Sequence, residues 1–313
     1  MDLPNTMNSP SPSSEACPIC AADAPQLRYH LDEFRILSCP RCEQIYLRPL
    51  PSTEHIRETF SQLYTKGEGS LPELKTYYEY TYEDRPDNPL VRRYEIWLDA
   101  MERHRAPGRL LDIGCGTGLF LAVARRRGWE PFGIDECEEA TGHARNHFGL
   151  DVWIGEFSGF PTDRRHFDAI TGWDIIEHAR DPVGLMQAMR NCLDPGGLVA
   201  LSTPNQRSIL DLVAGALYRM SAGRIRSPLE KFYIEQHFLY FTPETLSAAL
   251  GQAGFEVVES RRELTDLQRL TLSPAVRLGL EALFGAARLI GRENRIFSVA
   301  RPVATPSQDA SRP

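Results

Sequence analysis

The sequence predicts an α/β fold: a doubly wound parallel sheet of seven strands with helices on both faces, preceded by a small module built on four cysteines. Three observations carry this. From Arg109 onward, short apolar strands alternate with helical stretches. The first of these strands runs into a glycine-rich turn within Arg109 to Phe120, RLLDIGCGTGLF. Upstream, the pairs Cys17-Pro-Ile-Cys20 and Cys39-Pro-Arg-Cys42 are separated by eighteen residues. A chain of 313 residues holds one α/β domain of ordinary size and an appendage, and leaves no room for a second large catalytic domain.

Taken in order, residues 1–15 are rich in Pro, Ser and Asn and are expected to be disordered. The spacing C-x₂-C-x₁₈-C-x₂-C of Cys17, Cys20, Cys39 and Cys42 falls in the range of four-thiolate zinc sites, so 16–50 reads as a zinc ribbon. Its Zn²⁺ would be structural, because four thiolates leave no open coordination position. Two disulfides are the competing reading, disfavoured in a cytoplasmic protein. Residues 51–88, with many Tyr and Glu, read as a linker with short helices that covers part of a pocket.

The main domain is expected over 89–302. Asn88-Pro89 is a helix cap and first position, and Leu90, Tyr94, Leu98 and Met101 give the following helix, to about Arg105, an apolar stripe. Strand one is Arg109 to Ile113, with a helix from Leu119 to Arg127. Strand two, Pro131 to Ile134, ends in Asp135, and a helix from Glu138 to Phe148 leads to strand three, Val152 to Ile154. Strand four is Phe167 to Trp173, followed by a helix from Pro182 to Cys192, the turn Asp194-Pro195-Gly196-Gly197, and strand five, Leu198 to Ser202. Residues 205–241 interrupt the alternation as a substrate-lid insert. Within it, Ser208 to Met220 places Ile209, Leu212, Val213, Ala216, Leu217 and Met220 on one helical face. That face covers the pocket, packs into the core, or docks peripherally on a membrane. Thr242-Pro243 starts a helix to Ala253; Phe255 to Val258 is strand six, Ser273 to Ile290 is helical, Ile296 to Ala300 is strand seven, and 303–313 is an unstructured tail.

With 35 Lys and Arg against 42 Asp and Glu, the net charge of -7 provides no global positive field, which argues against nucleic acid as a partner. The clusters Arg125 to Arg127, Arg164-Arg165 and Arg224/Arg226 are locally basic and read by default as solvated faces. No apolar run reaches the length of a spanning helix and no signal peptide opens the chain, so a soluble cytoplasmic protein is expected.

In the glycine turn, Gly114, Gly116 and Gly118 permit positive φ and let a ligand lie against the backbone, beside the free N–H groups of a helix N-terminus. Dinucleotide-binding proteins also place glycines after a first strand. Here, however, Asp112 stands at the strand end, where a carboxylate would repel a pyrophosphate but could hold an ammonium group directly or through water. The run resembles the first motif of the class I S-adenosylmethionine-dependent methyltransferases, whose glycine loop, here including Cys115, passes the methionine part of that cofactor. Asp135, about twenty residues on, is placed to accept hydrogen bonds from both ribose hydroxyls. The resemblance assigns Glu156 and Phe157, after strand three, to the adenine amino group and ring edge, and Trp173 ends strand four over the loop.

Phe167-Asp168-Ala169-Ile170, Ile176-Glu177-His178-Ala179-Arg180-Asp181-Pro182 and Leu193-Asp194-Pro195-Gly196-Gly197 are similar to the fourth- and fifth-strand regions of the same family, in the same order. The ribbon together with Gln236-His237-Phe238-Leu239-Tyr240-Phe241-Thr242-Pro243-Glu244 is similar to sugar C-methyltransferases and ubiquinone-pathway O-methyltransferases. The resemblance thus implies a Rossmann-like fold, S-adenosylmethionine as cofactor, and methyl transfer to oxygen or carbon of a small-molecule acceptor. The chain departs from the pattern at Glu136-Cys137-Glu138-Glu139, where a small residue and a Ser or Thr cap are commoner. Proton removal asks for a base, and His178 and His237 are the candidates. Asp174-x-x-Glu177-His178 is an alternative divalent-metal set. An RNA methyltransferase holding substrate through the ribbon, a dehydrogenase and a non-catalytic binding module are the other readings; no pattern specifies the acceptor or the oligomeric state.

Overall fold

Strand and helix boundaries follow from caps and apolar runs that are local in the chain. The computed structural model describes residues 15–31, 33–66, 75–161 and 166–303. The expected disordered N-terminus and tail, apart from their innermost residues, and the Arg164-Arg165 pair lie outside the described residues.

The cysteine module contains β1 (Gln26–Leu31), β2 (Phe34–Ser38) and β3 (Ile45–Arg48), and two helices follow, α1 (Thr53–Lys66) and α2 (Lys75–Tyr80). The main domain opens with α3 (Pro89–Glu102), where the Asn88 side chain accepts from Leu90 N–H at 2.8 Å and Pro89 occupies the first turn. It continues through β4 (Arg109–Ile113), α4 (Leu119–Arg126), β5 (Glu130–Asp135), α5 (Glu138–Asn146), β6 (Asp151–Ile154), β7 (Phe167–Trp173), α6 (Pro182–Asn191) and β8 (Leu193–Pro204). Then come α7 (Ile209–Met220), α8 (Ser227–Glu230), β9 (Leu239–Tyr240), α9 (Pro243–Gln252), β10 (Phe255–Glu263), α10 (Pro274–Ile290) and β11 (Arg295–Pro302).

The seven-stranded sheet has the order β10-β11-β8-β7-β4-β5-β6. Its centre is β4, buried from Leu110 to Ile113 and paired in parallel on both sides, Leu111 with Phe132 of β5 and with Ile170 of β7. A strand covered on both faces needs a continuous apolar run rather than alternation, and the run around Leu110-Leu111 meets that need. The sheet departs from the expected all-parallel form in one strand: β11 enters between β8 and β10 antiparallel to both. The predicted turn at Asp194 to Gly197 lies inside β8 as a break in register, since Leu193 pairs with Phe167 and Leu198 already with Ala169.

The cysteine module is not separate from the insert. Strand β9 pairs antiparallel with β3, Ile45 with Tyr240 and Tyr46 with Leu239, so the module's sheet is completed by residues nearly two hundred positions later. Tyr29, Leu31, Ile36 and Leu47 share a core with Ala214, Leu229 and Tyr233 of the insert. As a result, α7 lies with Ala214 and Gly215 against the module and turns its other side outward. Leu212, Val213, Leu217 and Met220 are 41, 40, 38 and 86% exposed. This corrects the expectation that this apolar face covers the pocket or enters the core. Among the described residues no helix is long and apolar enough to cross a membrane.

Candidate active site

A cleft of about 1720 Å³ runs along the carboxyl ends of the parallel strands, where ligands bind in open α/β sheets. Its first end is formed by Ile113 and Gly114 after β4, Asp135 to Glu139 after β5, and Gly155 to Ser158 after β6. Asp135 Oδ2 accepts from Gly116 N–H at 2.8 Å and Oδ1 from Cys137 N–H at 2.9 Å, which ties the glycine loop to the next strand end. Each oxygen keeps a lone pair for a further donor such as a hydroxyl. Burial, joined by the neighbouring Glu136 charge, raises the Asp135 pKa against the pull of those backbone N–H groups. Of the extra acids after Asp135, Glu136 has a partner: Arg57 of α1 reaches it and Glu156, each at 3.1 Å, and bridges the mouth of the cleft.

The loop residues divide into two groups. Gly114, Asp135, Glu156, Phe157 and Trp173 line the cleft, while Asp112, Cys115, Gly116 and Gly118 stand behind it. Asp112 is 1% exposed, accepts from Thr171 Oγ1–H at 2.6 Å, and has its pKa raised to about 8 by burial and the nearby Asp135 charge. Asp112 does not line the cleft, which speaks against direct contact with an ammonium group and leaves contact through water open. Its carboxylate also braces β4 against β7. Cys115 packs its sulfur over Gly133 of β5, where any side chain would collide. Gly118 has φ 82, and a Cβ there would stand 2.7 Å from Leu150 Cδ1 and 2.8 Å from Ala144 Cβ, so this glycine serves the approach of α4 to α5. Trp173 is held by rings on three sides, Trp97 stacked at 4.4 Å, Phe120 edge-on at 5.0 Å and Phe297 at 6.2 Å.

The other end of the cleft gathers the loop after β7 and the end of the insert. Asp174 takes positive φ of 57, a conformation Asp tolerates better than most residues, fixed by its N–H to Ser202 O at 2.9 Å and by Arg295 Nη2 to Oδ1 at 2.5 Å. His178 Nδ1 lies 2.7 Å from the Gln236 carbonyl. A carbonyl only accepts, so Nδ1 carries the proton, and the Asp174 backbone carbonyl also faces the ring. His237 stands beside it, ring centroids 4.9 Å apart, and Phe60 of α1 closes on the other edge at 5.1 Å. Burial lowers both imidazole pKa values, and for His237 the adjacent His178 adds to the effect, so both rings are neutral at neutral pH. Glu177 is 1% exposed; Oε2 accepts from Thr203 at 2.9 Å, Oε1 has no protein partner, and burial followed by the Asp174 charge raises its pKa to about 8.

One ligand atom from each of Glu177, His178 and His237 falls within 4.8 Å of the others. The expected Asp174-Glu177-His178 grouping is thereby changed: Asp174 is committed to Arg295, and His237 takes its place. The cleft also contains Tyr77 and Tyr78 of α2, Arg269 and Arg295, which sequence reasoning missed. No periodicity or spacing marks them, since they meet the site only through packing.

In the cysteine module the four Sγ atoms lie within 4.8 Å of one another, with Cys17 to Cys42 and Cys20 to Cys39 both at 3.5 Å. A tetrahedron with Zn–S bonds of about 2.3 Å has edges of about 3.8 Å, so the set fits one Zn²⁺. The two knuckles have matching backbones. Cys17 N–H bonds Ala22 O and Ala21 N–H bonds Cys17 O; Cys39 N–H bonds Gln44 O and Glu43 N–H bonds Cys39 O. Ala21 and Glu43, each just after the second cysteine, take φ 54 and 62. Burial drives the Cys17 thiol up to about 11, whereas at Cys39 backbone N–H groups of Cys42 and Arg41 outweigh burial and lower it.

A family model described as a methyltransferase domain matches residues 90–260, over half of the chain. The chain belongs to this methyltransferase-domain family. Among relatives of this methyltransferase, a ubiquinone biosynthesis O-methyltransferase of Ruegeria pomeroyi is 34% identical over 175 residues, 51% of this chain and 64% of the relative. One of Dinoroseobacter shibae is 31% identical over 168 residues, 49% of this chain and 62% of the relative. The chain therefore spans just under two thirds of the length of these relatives. Among solved structures, magnesium protoporphyrin IX methyltransferase from Synechocystis PCC 6803 with bound SAH superposes with a TM-score of 0.51 at 12% identity, covering 80% of this chain and 100% of that one, a likeness of fold.

Proposed function

We infer that the protein transfers a methyl group from S-adenosylmethionine to an oxygen or carbon of a small-molecule acceptor; its likeness to proteins named ubiquinone biosynthesis O-methyltransferases supports this reading. The observation that supports this best is one cleft with the Gly114 turn, Asp135 and Glu156-Phe157 at one end and a neutral His178, oriented by the Gln236 carbonyl, at the other. The cofactor supplies an electrophilic methyl on a sulfonium. Asp135 would hold the ribose hydroxyls through its remaining lone pairs, Glu156 and Phe157 the adenine, and the Gly114 backbone the methionine part. His178 Nε2 would take the acceptor's proton, and α1, through Phe60 and Arg57, would exclude water over both ends.

The four thiolates would hold a structural Zn²⁺ that ties the module to the insert. A cytoplasmic site of action with peripheral membrane contact belongs to the same reading. Touching helices α7 and α10 turn Leu212, Val213, Leu217 and Met220, and Leu278, Leu289 and Ile290, to solvent, with Arg224, Arg226 and Arg288 exposed near them. The deciding experiment is incubation with methyl-labelled S-adenosylmethionine and a cell metabolite extract, followed by mass analysis of the products. A labelled small molecule supports the proposal. No labelled product, together with thermal stabilisation by NAD and none by S-adenosylhomocysteine, would replace it with the dehydrogenase reading.

A further inference from the structure

Two arginines in the cleft wall are buried and face the same space. Arg269 ends the short helical turn Leu267–Arg269 between β10 and α10, and Arg295 begins β11; each is 7% exposed. Their surroundings differ. Arg295 is neutralised by Asp174 at 2.5 Å and also bonds Ser202 Oγ at 2.8 Å. Arg269 has no carboxylate within salt-bridge distance among the described residues, and its Nε makes no hydrogen bond to the protein. Its guanidinium carbon sits 4.5 Å from the centre of the Tyr77 ring and its side chain also hydrogen-bonds that of Tyr77, neutral contacts that offset only part of the cost of burying a cation.

The acids nearby are already engaged. Glu263 is held by Arg93 at 2.9 Å, Arg261 at 2.8 Å and the Trp97 indole at 3.0 Å. The Asp266 side chain caps its own turn through Gln268 N–H at 2.9 Å. Asp174 faces Arg295. The wall next to Arg269 is otherwise apolar: Leu270, Leu272, Val276, Leu280 and Phe284 line the cleft. A buried guanidinium without a counter-charge at the edge of an apolar wall is matched by a planar oxyanion on an apolar body, since a carboxylate meets the guanidinium fork with two parallel hydrogen bonds.

Building on the methyltransferase reading of this cleft, we propose that the methyl acceptor is an apolar or aromatic carboxylate whose carboxylate docks on Arg269 while its skeleton lies on the Leu270 to Phe284 wall. Arg295, fixed by Asp174, borders the same anion subsite. A guanidinium that only supports Tyr77 would be indifferent to ligand charge. The carboxylate subsite discriminates.

The test is titration calorimetry with biphenyl-4-carboxylate and its neutral methyl ester, on native protein with and without saturating S-adenosylhomocysteine. The native protein is expected to bind the carboxylate at least about tenfold more tightly than the ester, the preference of a charge-assisted bidentate contact. In Arg269→Met, which keeps the apolar length of the side chain, the two probes should fall within about twofold of each other while S-adenosylhomocysteine affinity is unchanged. Equal binding of the two probes by native protein, or an undiminished preference in Arg269→Met, overturns the proposal. If that variant does not fold, Arg269→Lys, with its charge kept and its fork removed, should show a reduced but persistent preference. Absent S-adenosylhomocysteine binding with the carboxylate preference intact would count against the methyltransferase reading and leave the anion subsite standing.

Discussion

The His178 and His237 rings stand 4.9 Å apart because the Gln236 carbonyl, one residue before His237, accepts the His178 Nδ1–H at 2.7 Å. The same segment is anchored on both sides: Phe238 N–H donates to Glu177 O at 2.8 Å, and Leu47 N–H of the cysteine module donates to Phe238 O at 3.0 Å. The loop after β7, the insert and the module therefore form one hydrogen-bonded unit around the His178 end of the cleft.

Replacing His178 by Ala should lower kcat by about 10²- to 10⁴-fold with cofactor affinity nearly unchanged, as expected for loss of a general base. The pH profile gives the second readout. A base works while deprotonated, so activity is present above its pKa in the folded protein and lost as pH falls through it. Burial lowers the His178 pKa, which places the acidic limb below the ordinary histidine value of about 6.5. The limb should vanish in the variant. Unchanged kcat would transfer the role to His237, tested by His237→Ala.

Cys39→Ser should abolish zinc binding, measured by elemental analysis of the purified protein. Because β9 is paired with β3, loss of the metal should lower the melting temperature and kcat through the Gln236 to Tyr240 segment, while the seven-stranded sheet and S-adenosylhomocysteine binding survive. Native protein that contains no zinc and is indifferent to chelator would remove the ribbon reading.

Asp135→Ala should weaken S-adenosylmethionine binding by about 1.5 to 3 kcal/mol, the range for hydrogen bonds to a charged group. The variant also releases the Gly116 and Cys137 N–H groups, so part of the loss will come from a loosened loop. Wild-type affinity by calorimetry would take this carboxylate out of the site.

Gly118→Ala tests the scaffold apart from the chemistry. At φ 82 an alanine bears roughly 1 to 2 kcal/mol of backbone strain. Its Cβ also enters the contact with Ala144 and Leu150, so a lower denaturant midpoint is expected. An unchanged midpoint would mean that α4 and α5 are free to separate.

Sedimentation with anionic vesicles at low salt should carry the protein down, and Leu212→Glu, placed in the exposed stripe of α7, should prevent it. If the native protein stays in the supernatant, the stripes on α7 and α10 have another use.

Sequence alone determined the parts whose causes are local. Strand β4 from Arg109 to Ile113 and β7 from Phe167 to Trp173 were legible to the residue, as apolar runs bounded by a glycine turn and a polar loop. The signals at Asn88-Pro89 and Thr242-Pro243 placed the starts of α3 and α9, because a cap is made with N–H groups two or three residues away. The four-cysteine spacing was legible for the same reason.

Only the tertiary structure decided which side of each element meets the cleft. Asp112 and Asp135 both end parallel strands, yet one is buried against Thr171 and the other lines the site. The apolar face of α7 had three readings in sequence; pairing of β9 with β3 turned it to solvent, a long-range register that no helical period encodes. Arg269 carries no local signature at all. Its meaning arises because the nearby carboxylates, held by Arg93, Arg261 and Arg295, leave it without a counter-charge, and that balance exists only once the chain is folded.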